Sequence, residues 1–251
     1  MSTFVLLPGA WMGAWIWQFV VPQLEAAGHA AHPVCYAGIG ERASELSPEI
    51  GLESCTRDVL EVFERHVPGQ AILVGHSFGS LIACLLVDRA PELVSRLVLL
   101  DGGLVQNGLS IFARIPQPIV EKRRNRIFRI NGVEVLPPAF PGGLVIDDPA
   151  LAAWTHRQLT PHPLRCYTDA PVVRNPPGNG LPITYIACVE PLYPVSSPSH
   201  ARMRALPGVD WRELKAGHNC PISAPELLAG ELLRTAALGE RATATGKTRQ
   251  A

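Results

Sequence analysis

One stretch constrains the fold more than any other: an apolar strand pattern that passes through Gly-x-Ser-x-Gly into an apolar helix pattern. Residues 71–74 are all apolar, the motif occupies residues 75–79, and the helix pattern covers residues 81–89. A serine at a strand-to-helix elbow has a strained backbone, and the tight turn leaves no room for Cβ atoms at the two motif glycines. The stretch therefore predicts Ser77 as a nucleophile. The alternative is an ordinary glycine-bounded turn with an incidental serine.

Length and composition favour a single α/β domain that binds a small molecule. The 251 residues are 47% apolar and 18% charged, which is enough to bury a sizeable core. The formal net charge is zero and the isoelectric point is near 7.1, so no overall field favours nucleic acid or an anionic membrane. The expected partner is a small-molecule substrate, with no nucleic acid and no membrane. A homodimer remains open.

The first residues and the cysteines bear on compartment and metal content. The N-terminal apolar run has no basic residues before it and is broken at Pro8, so neither a signal peptide nor a membrane span is expected, and the predicted location is cytoplasmic. The six cysteines are scattered, with no C-x-x-C and no spacing typical of a metal site. We expect no metal and no cofactor.

Strand and helix patterns alternate along the chain, which predicts a mostly parallel sheet flanked by helices. A continuous apolar run at 4–7 and largely apolar runs at 96–100 and 183–189 are typical of strands buried on both faces. An amphipathic helix is predicted over 52–66, and right-handed crossovers follow from this order. A helix pattern over 14–27 is interrupted by Pro22, which should kink or restart it.

The pattern changes over about eighty residues in the second half of the chain. They contain many prolines, a basic run from Lys122 to Arg129 and only short helical stretches. We predict a core formed by residues 1–103 and 181–239, a lid inserted as residues 104–180, and a disordered tail over 240–251. For the basic run, a solvated helix face is favoured over a site for a carboxylate or for a carrier-bound acyl group.

The chain resembles the α/β-hydrolases, and more narrowly the branch of plant hydroxynitrile lyases and methyl-ester esterases with their bacterial relatives. The resemblance is carried by residues 7–15, Gly-His-Ser-Phe-Gly at 75–79, Gly-His at 217–218 and the lid segment 159–164. It implies an α/β-hydrolase fold with a lid at the carboxyl edge of the sheet. Together with elbow geometry, it also implies that the oxyanion donors are the backbone N–H groups of Ala10 and Phe78.

A base for the serine is predicted independently of this resemblance. A serine hydroxyl becomes a good nucleophile when a histidine takes its proton. His218 follows the last predicted strand in a glycine-containing loop, so a parallel sheet would bring it to the same edge as Ser77. His156, His162 and His200 are interpreted as lid or surface residues.

The acid of a catalytic triad is harder to predict. In the plant relatives an aspartate follows the penultimate strand, but this chain has Pro191 at the corresponding position. Asp101 ends a fully apolar strand and is followed by two glycines, so its buried charge would need a partner such as imidazole. We favour Asp101, with Glu190, Asp210 or a dyad without an acid as alternatives.

These residues favour hydrolysis of a carboxylic ester or thioester of a small, largely apolar substrate. Hydroxynitrile lyases of this branch use a threonine and a lysine where this chain has Gly9 and Asn219, which disfavours cyanohydrin cleavage. Trp11 and Trp15 are candidate pocket walls, although either could belong to the core. Two alternatives are a non-hydrolytic lyase or cyclase, and a ligand-binding member of the fold with vestigial catalysis.

Overall fold

A computed structural model describes residues 1–138, 144 and 146–248, with side chains described up to residue 238. Within this range the main sheet has six strands, all paired in parallel, in the order β2-β1-β3-β4-β8-β9. These strands are β1 (Thr3–Leu7), β2 (Ala30–Pro33), β3 (Ala71–His76), β4 (Val94–Leu100), β8 (Ile183–Cys188) and β9 (Val209–Leu214). The predicted parallel α/β fold is confirmed.

Helices pack on both faces of this sheet and also form much of the connection between β4 and β8. They are α1 (Val21–Ala26), α2 (Leu52–His66), α3 (Phe78–Arg89), α4 (Ile111–Arg114), α5 (Gln117–Arg124), α6 (Pro149–Gln158), α7 (Arg165–Thr168), α8 (Ser197–Ala205), α9 (Cys220–Ser223) and α10 (Pro225–Thr248). Short 3₁₀ helices occupy Ala14–Trp17, Gly40–Glu45, Pro91–Leu93 and Pro177–Gly180. None of the helices in the described ranges is long and apolar enough to cross a membrane.

The central strand β3 shows why its sequence is apolar throughout. Successive side chains of a strand point to opposite faces, and in β3 Leu73 belongs to one hydrophobic core while Ile72 and Val74 belong to the other. All six residues of β3 are buried. Because helices cover both faces of the sheet, there is no solvent-facing side on which polar residues would be favoured.

Most predicted elements match the structure, and the differences have local causes. The helix pattern over 14–27 does restart at Pro22, which lies in the first turn of α1. Helix α3 begins at Phe78, three residues before the predicted start, because the elbow leads directly into it. Helix α10 continues past the predicted end near Leu238 to Thr248, since no proline stops it; residues 249–251 of the predicted tail lie outside the described residues.

The connection between β4 and β8, residues 104–180, is called the insertion below. It contains α4 to α7 and a small antiparallel sheet formed by β5 (Phe128–Ile130), β6 (Val133–Leu136) and β7 (His162–Pro163). Residues 139–143 and 145 of the insertion lie outside the described residues. Several of its side chains, including Ile111 and Tyr167, line the same cavity as Ser77.

Candidate active site

Ser77 lies at the elbow between β3 and α3 in a conformation that non-glycine residues rarely adopt. Its φ is 52° and its ψ is −113°. A Cβ at Gly75 would lie 2.5 Å from the carbonyl oxygen of Gly79, and one at Gly79 would lie 2.7 Å from the carbonyl oxygen of Leu7. Both motif glycines are therefore required by close backbone contacts, as the sequence predicted.

His218 lies in the loop after β9 and is within hydrogen-bonding distance of Ser77. Its Nε2 is 3.0 Å from Ser77 Oγ, and its Nδ1 is 2.5 Å from Oδ2 of Asp101. The three residues come from the carboxyl ends of β3, β4 and β9, which meet at one edge because the strands are parallel. The structure thus brings together the serine, the histidine and the aspartate that the sequence favoured.

Asp101 is fully buried and holds its charge through hydrogen bonds. Burial alone would raise the pKa of this carboxyl group, but hydrogen bonds and charges from His200 and His218 hold the pKa well below its usual value. The backbone N–H of Cys188 also donates to Oδ1 at 3.1 Å. An ionised carboxylate can only accept hydrogen bonds, so the ring nitrogens facing it carry the hydrogens. In a neutral His218 ring, Nε2 would then face Ser77 Oγ as a hydrogen-bond acceptor.

The two alternative acids lie away from His218. Glu190 is exposed at the end of β8, and no hydrogen bond joins its carboxylate to His218 among the described residues. Asp210 instead pairs with Arg212 at 2.6 Å and accepts a hydrogen bond from Thr184. Of the carboxylates weighed from the sequence, Asp101 alone contacts the imidazole in the described part of the chain.

His200 contacts the same carboxylate, which the sequence did not predict. Its Nε2 lies 2.5 Å from Oδ1 of Asp101, and its ring packs edge-on against Tyr185 and Trp211. The interpretation of His200 as a surface residue was wrong, because α8 packs this face against β8 and β9 and leaves the side chain 12% exposed. A useful signal would have been the position of His200 shortly after β8, whose carboxyl end adjoins that of β4.

His76, the residue before Ser77, contacts the backbone of His218. Its Nε2 donates to the carbonyl oxygen of His218 at 2.8 Å, and the two rings are 5.0 Å apart. The ring is completely buried, and Nδ1 has no hydrogen-bond partner among the described residues. Burial, followed by the charge of His218, lowers the pKa of His76 to about 3. His76 is therefore neutral at neutral pH.

A cavity of about 390 Å³ opens beside these residues. Ser77, His218 and Asp101 line it, together with Ala10, Phe78 and Trp11 and with apolar residues of the insertion. Trp15 is not among the lining residues and packs against a hydrophobic core, so of the two roles that the sequence left open for it the structure favours the core. Trp15 lies in the 3₁₀ helix Ala14–Trp17, and its ring packs against Trp154 of α6 with ring centroids 5.6 Å apart.

The loop after β1, which contains Ala10, is held by the insertion. Trp11 has a φ of 67°, its backbone N–H donates to Nδ1 of His162 at 3.0 Å, and its carbonyl accepts from the N–H of Thr160 at 3.1 Å. His162 is fully buried, so its interpretation as a lid or surface residue missed this contact. Ala10 and Phe78 both lie at the cavity beside Ser77, and their role as oxyanion donors stays a prediction.

The model of a known protein family, described as the alpha/beta hydrolase family, matches residues 4–231 of this chain. The chain belongs to this family. Among solved structures, an extracellular α/β-hydrolase from a Paenibacillus species superposes with a TM-score of 0.76 at 19% identity, covering 93% of this chain and 98% of that one. A pyrethroid hydrolase from Sphingobium faniae JZ-2 superposes with a TM-score of 0.74 at 23% identity, covering 94% and 97%. At this identity the superpositions establish the shared hydrolase fold.

Relatives with higher identity match a shorter region. A carbendazim-hydrolyzing esterase of Nocardioides sp. (strain SG-4G) is 34% identical over 119 residues, which cover 47% of this chain and 49% of that protein. A probable esterase of Oryza sativa subsp. indica, PIR7A, is 37% identical over 98 residues, covering 39% and 37%. The aligned regions span less than half the length of these hydrolase relatives.

Proposed function

We propose that this hydrolase cleaves carboxylic esters or thioesters of small, largely apolar substrates through a covalent acyl-enzyme. The observation that carries the proposal is the continuous chain of contacts from Ser77 Oγ through both nitrogens of His218 to Asp101, at 3.0 Å and 2.5 Å. A base within hydrogen-bonding distance of a serine, itself oriented by a buried carboxylate, is the arrangement that activates a hydroxyl for attack on a carbonyl.

In the first half of the proposed reaction, Ser77 Oγ attacks the carbonyl carbon while Nε2 of His218 takes its proton. The carbonyl π electrons move to oxygen, and the N–H groups of Ala10 and Phe78 stabilise the resulting oxyanion. When the tetrahedral intermediate collapses, the bond to the alcohol or thiol breaks and imidazolium Nε2 protonates the leaving group. In the second half, water attacks the acyl-enzyme with His218 again acting as base and then as acid.

Asp101 stabilises the imidazolium that forms in each half of the reaction. Its carboxylate stays ionised because three N–H groups point at it, from Cys188, His200 and His218. Burial strengthens this ion pair because little water screens it. We further propose that the insertion acts as a lid, since Ile111, Ile119 and Tyr167 provide apolar walls that exclude water from the cavity.

Two observations support ester hydrolysis over lyase chemistry. Both curated relatives described above are named as esterases. In addition, Asn219 follows the base here, and its side-chain amide donates to the carbonyl of Leu144. Asn219 is uncharged and its amide is already hydrogen-bonded to the insertion. It therefore cannot supply the positive charge that a lysine at this position would provide.

The experiment is a turnover assay on a panel of p-nitrophenyl esters of increasing acyl length, with Ser77→Ala as the matched variant. We expect kcat/KM to fall by at least about 10³-fold in Ser77→Ala, and we expect a fluorophosphonate to label the wild-type protein at Ser77 alone. Turnover that survives in Ser77→Ala would contradict the acyl-enzyme. Labelling at Ser77 without turnover of any ester would instead favour a non-hydrolytic reaction or a ligand-binding role.

A further inference from the structure

The basic side chains of residues 122–129 in the insertion differ in their exposure and in their contacts. Lys122 and Arg124 of α5 are exposed, and Arg129 pairs with Glu134 at 3.3 Å. Arg123 is half-buried and lines the cavity that contains Ser77. The interpretation of the run as a solvated face therefore holds for the exposed Lys122 and Arg124 but was wrong for Arg123, whose side chain the helix turns inward.

Two aromatic rings hold the guanidinium of Arg123 in place. Its Cζ lies 5.7 Å from the ring centroid of Trp11 and 5.3 Å from that of Tyr167. Cation–π contacts use the faces of the rings and leave the N–H groups of the guanidinium available as donors. No carboxylate of the described residues forms an ion pair with Arg123. A guanidinium oriented in this way presents a planar fork that matches a carboxylate.

The charged side chains that line this cavity are mostly positive. Arg114 and Arg202 also line the cavity, and the charge of Arg202 lowers the pKa of Arg114, secondary to the effect of burial. Among the described lining residues Asp101 is the only acid, and it is already bonded to two histidines. The remaining wall is largely apolar, including Leu104, Ile111, Ile115, Ile119 and Met203. Such walls weaken screening and favour an anion beside the arginines.

Arg123 lines the same cavity as Ser77 and His218. Trp11, over which it packs, directly follows the proposed oxyanion donor Ala10. Tyr193 packs against His218 with ring centroids 4.4 Å apart; burial raises the pKa of Tyr193, and the charge of Arg123 opposes this shift, which indicates that Arg123 is near the same wall. An anion on Arg123 would thus share the cavity with a carbonyl carbon on Ser77.

We propose that Arg123 binds a carboxylate carried by the substrate, so that the preferred substrates are half-esters of short dicarboxylic acids. This rests on the proposed ester hydrolysis and names the substrate class for that site. The free carboxylate pairs with Arg123, supported by the charges of Arg114 and Arg202, and the apolar chain spans the cavity to Ser77.

The test compares two esters of similar size, mono-p-nitrophenyl glutarate and neutral p-nitrophenyl butyrate. We expect the ratio of their kcat/KM values, half-ester over neutral ester, to fall by ~10- to 100-fold in Arg123→Met, as hydrogen bonds to a charged group are lost. Arg123→Lys should give an intermediate ratio because it keeps the charge but loses the fork. Lys122→Met, which removes an exposed charge from the same helix, should keep the wild-type ratio. An equal loss on both esters in Arg123→Met would overturn the proposal.

A binding measurement separates this proposal from the hydrolytic one. Calorimetry with glutarate on the Ser77→Ala variant does not need turnover, and we expect glutarate to bind with an affinity that falls by at least about tenfold when Arg123→Met is added. Glutarate affinity that is the same with and without Arg123 would overturn the carboxylate site even if ester hydrolysis were established. Arginine-dependent glutarate binding without any ester turnover would keep the site and refute the hydrolysis.

Discussion

His200 donates a hydrogen bond from Nε2 to Oδ1 of Asp101 at 2.5 Å, while His218 holds the other oxygen of the same carboxylate at the same distance. One buried aspartate therefore serves two imidazoles, only one of which reaches Ser77. Hydrogen bonds to a carboxylate stabilise its charged form and reduce its basicity. We therefore predict that His200 is a positioning residue, which acts on the proposed base His218 through Asp101.

Replacing His200 should change the pH profile of the enzyme. In His200→Ala the negative charge of Asp101 has one partner fewer and interacts more strongly with the His218 imidazolium, so the base is protonated more readily. We expect the acid limb of kcat/KM to move to higher pH by roughly half to one unit. The groups that face His200 are Asp101, Tyr185 and the Trp211 ring, and Tyr185 is engaged by donating to the carbonyl of Gly102 at 2.8 Å.

The control for this prediction is His200→Gln, whose amide can still donate to Asp101 but cannot become charged. It should keep the acid limb within about 0.3 pH unit of the wild type. An acid limb that stays in place in His200→Ala, with activity reduced equally at every pH, would mean that His200 only fills space.

Replacing Asp101 is expected to reduce ester turnover far more than replacing Glu190, the exposed carboxylate that the sequence left as an alternative acid. In Asp101→Asn the amide N–H would face an imidazole N–H or force the wrong tautomer of His218, so ester turnover should fall by ~10³- to 10⁴-fold in kcat. Glu190→Gln changes an exposed side chain and should remain within about twofold of the wild type. The comparison of the two variants in the p-nitrophenyl assay decides between them; a large loss in Glu190→Gln would contradict the geometry.

The sequence predicted those parts of the site that depend on local patterns and strand order. Ser77 follows from a motif between a strand and a helix, and His218 and Asp101 follow from their positions at the ends of parallel strands. His200 lies 99 residues from Asp101 and His162 lies 151 residues from Trp11, so no spacing pattern reports either contact. Strand order could have placed His200 near this edge of the sheet, but both contacts depend on how α8 and the insertion fold back onto that edge, which local patterns do not specify.

The neutral state of His76 makes folding stability depend on pH. The pKa of this residue is about 3 in the folded protein against 6.5 for an unperturbed histidine, so between these values the unfolded chain binds more protons. Stability is therefore fully present above the unfolded value and is lost as the pH falls from about 6.5 towards 3. The free energy of unfolding should fall by roughly 1 kcal/mol for each pH unit in this window.

Urea unfolding of the wild type and of His76→Gln, measured at several pH values in that window, tests this. We expect the variant to be less stable at neutral pH, because the bond to the His218 carbonyl is altered, but its free energy of unfolding should decline less steeply with acid. Parallel slopes for the two proteins would show that His76 does not titrate in this way.

The elbow should tolerate no Cβ at Gly75. A methyl group there would meet the carbonyl oxygen of Gly79 at 2.5 Å and Cα of Ser80 at 2.6 Å, and both belong to backbone that cannot move without displacing Ser77. Gly75→Ala should therefore lower the free energy of unfolding by about 3 kcal/mol or prevent folding. Gly230→Ala is the matched control: this helical glycine has no atom near its Cβ position, so the change should stabilise by about 1 kcal/mol. Chemical denaturation of both variants gives the comparison.

His162 links the insertion to the loop that carries Ala10. Its Nδ1 accepts the N–H of Trp11 at 3.0 Å, and this bond helps to hold Trp11 at a φ of 67°. Removing the acceptor in His162→Leu should let the loop relax and misplace the neighbouring Ala10 N–H. We expect kcat to fall by roughly 10- to 100-fold, less than the ~10²- to 10³-fold effect of deleting an oxyanion donor outright, with KM for the neutral ester changing much less.

His162→Asn, whose side-chain oxygen can replace Nδ1 as acceptor, should recover most of kcat. His156→Ala on α6 serves as a control in the same insertion. If Leu and Asn at position 162 reduced kcat equally, the effect would come from packing against Phe78 and Tyr167 rather than from the hydrogen bond to Trp11.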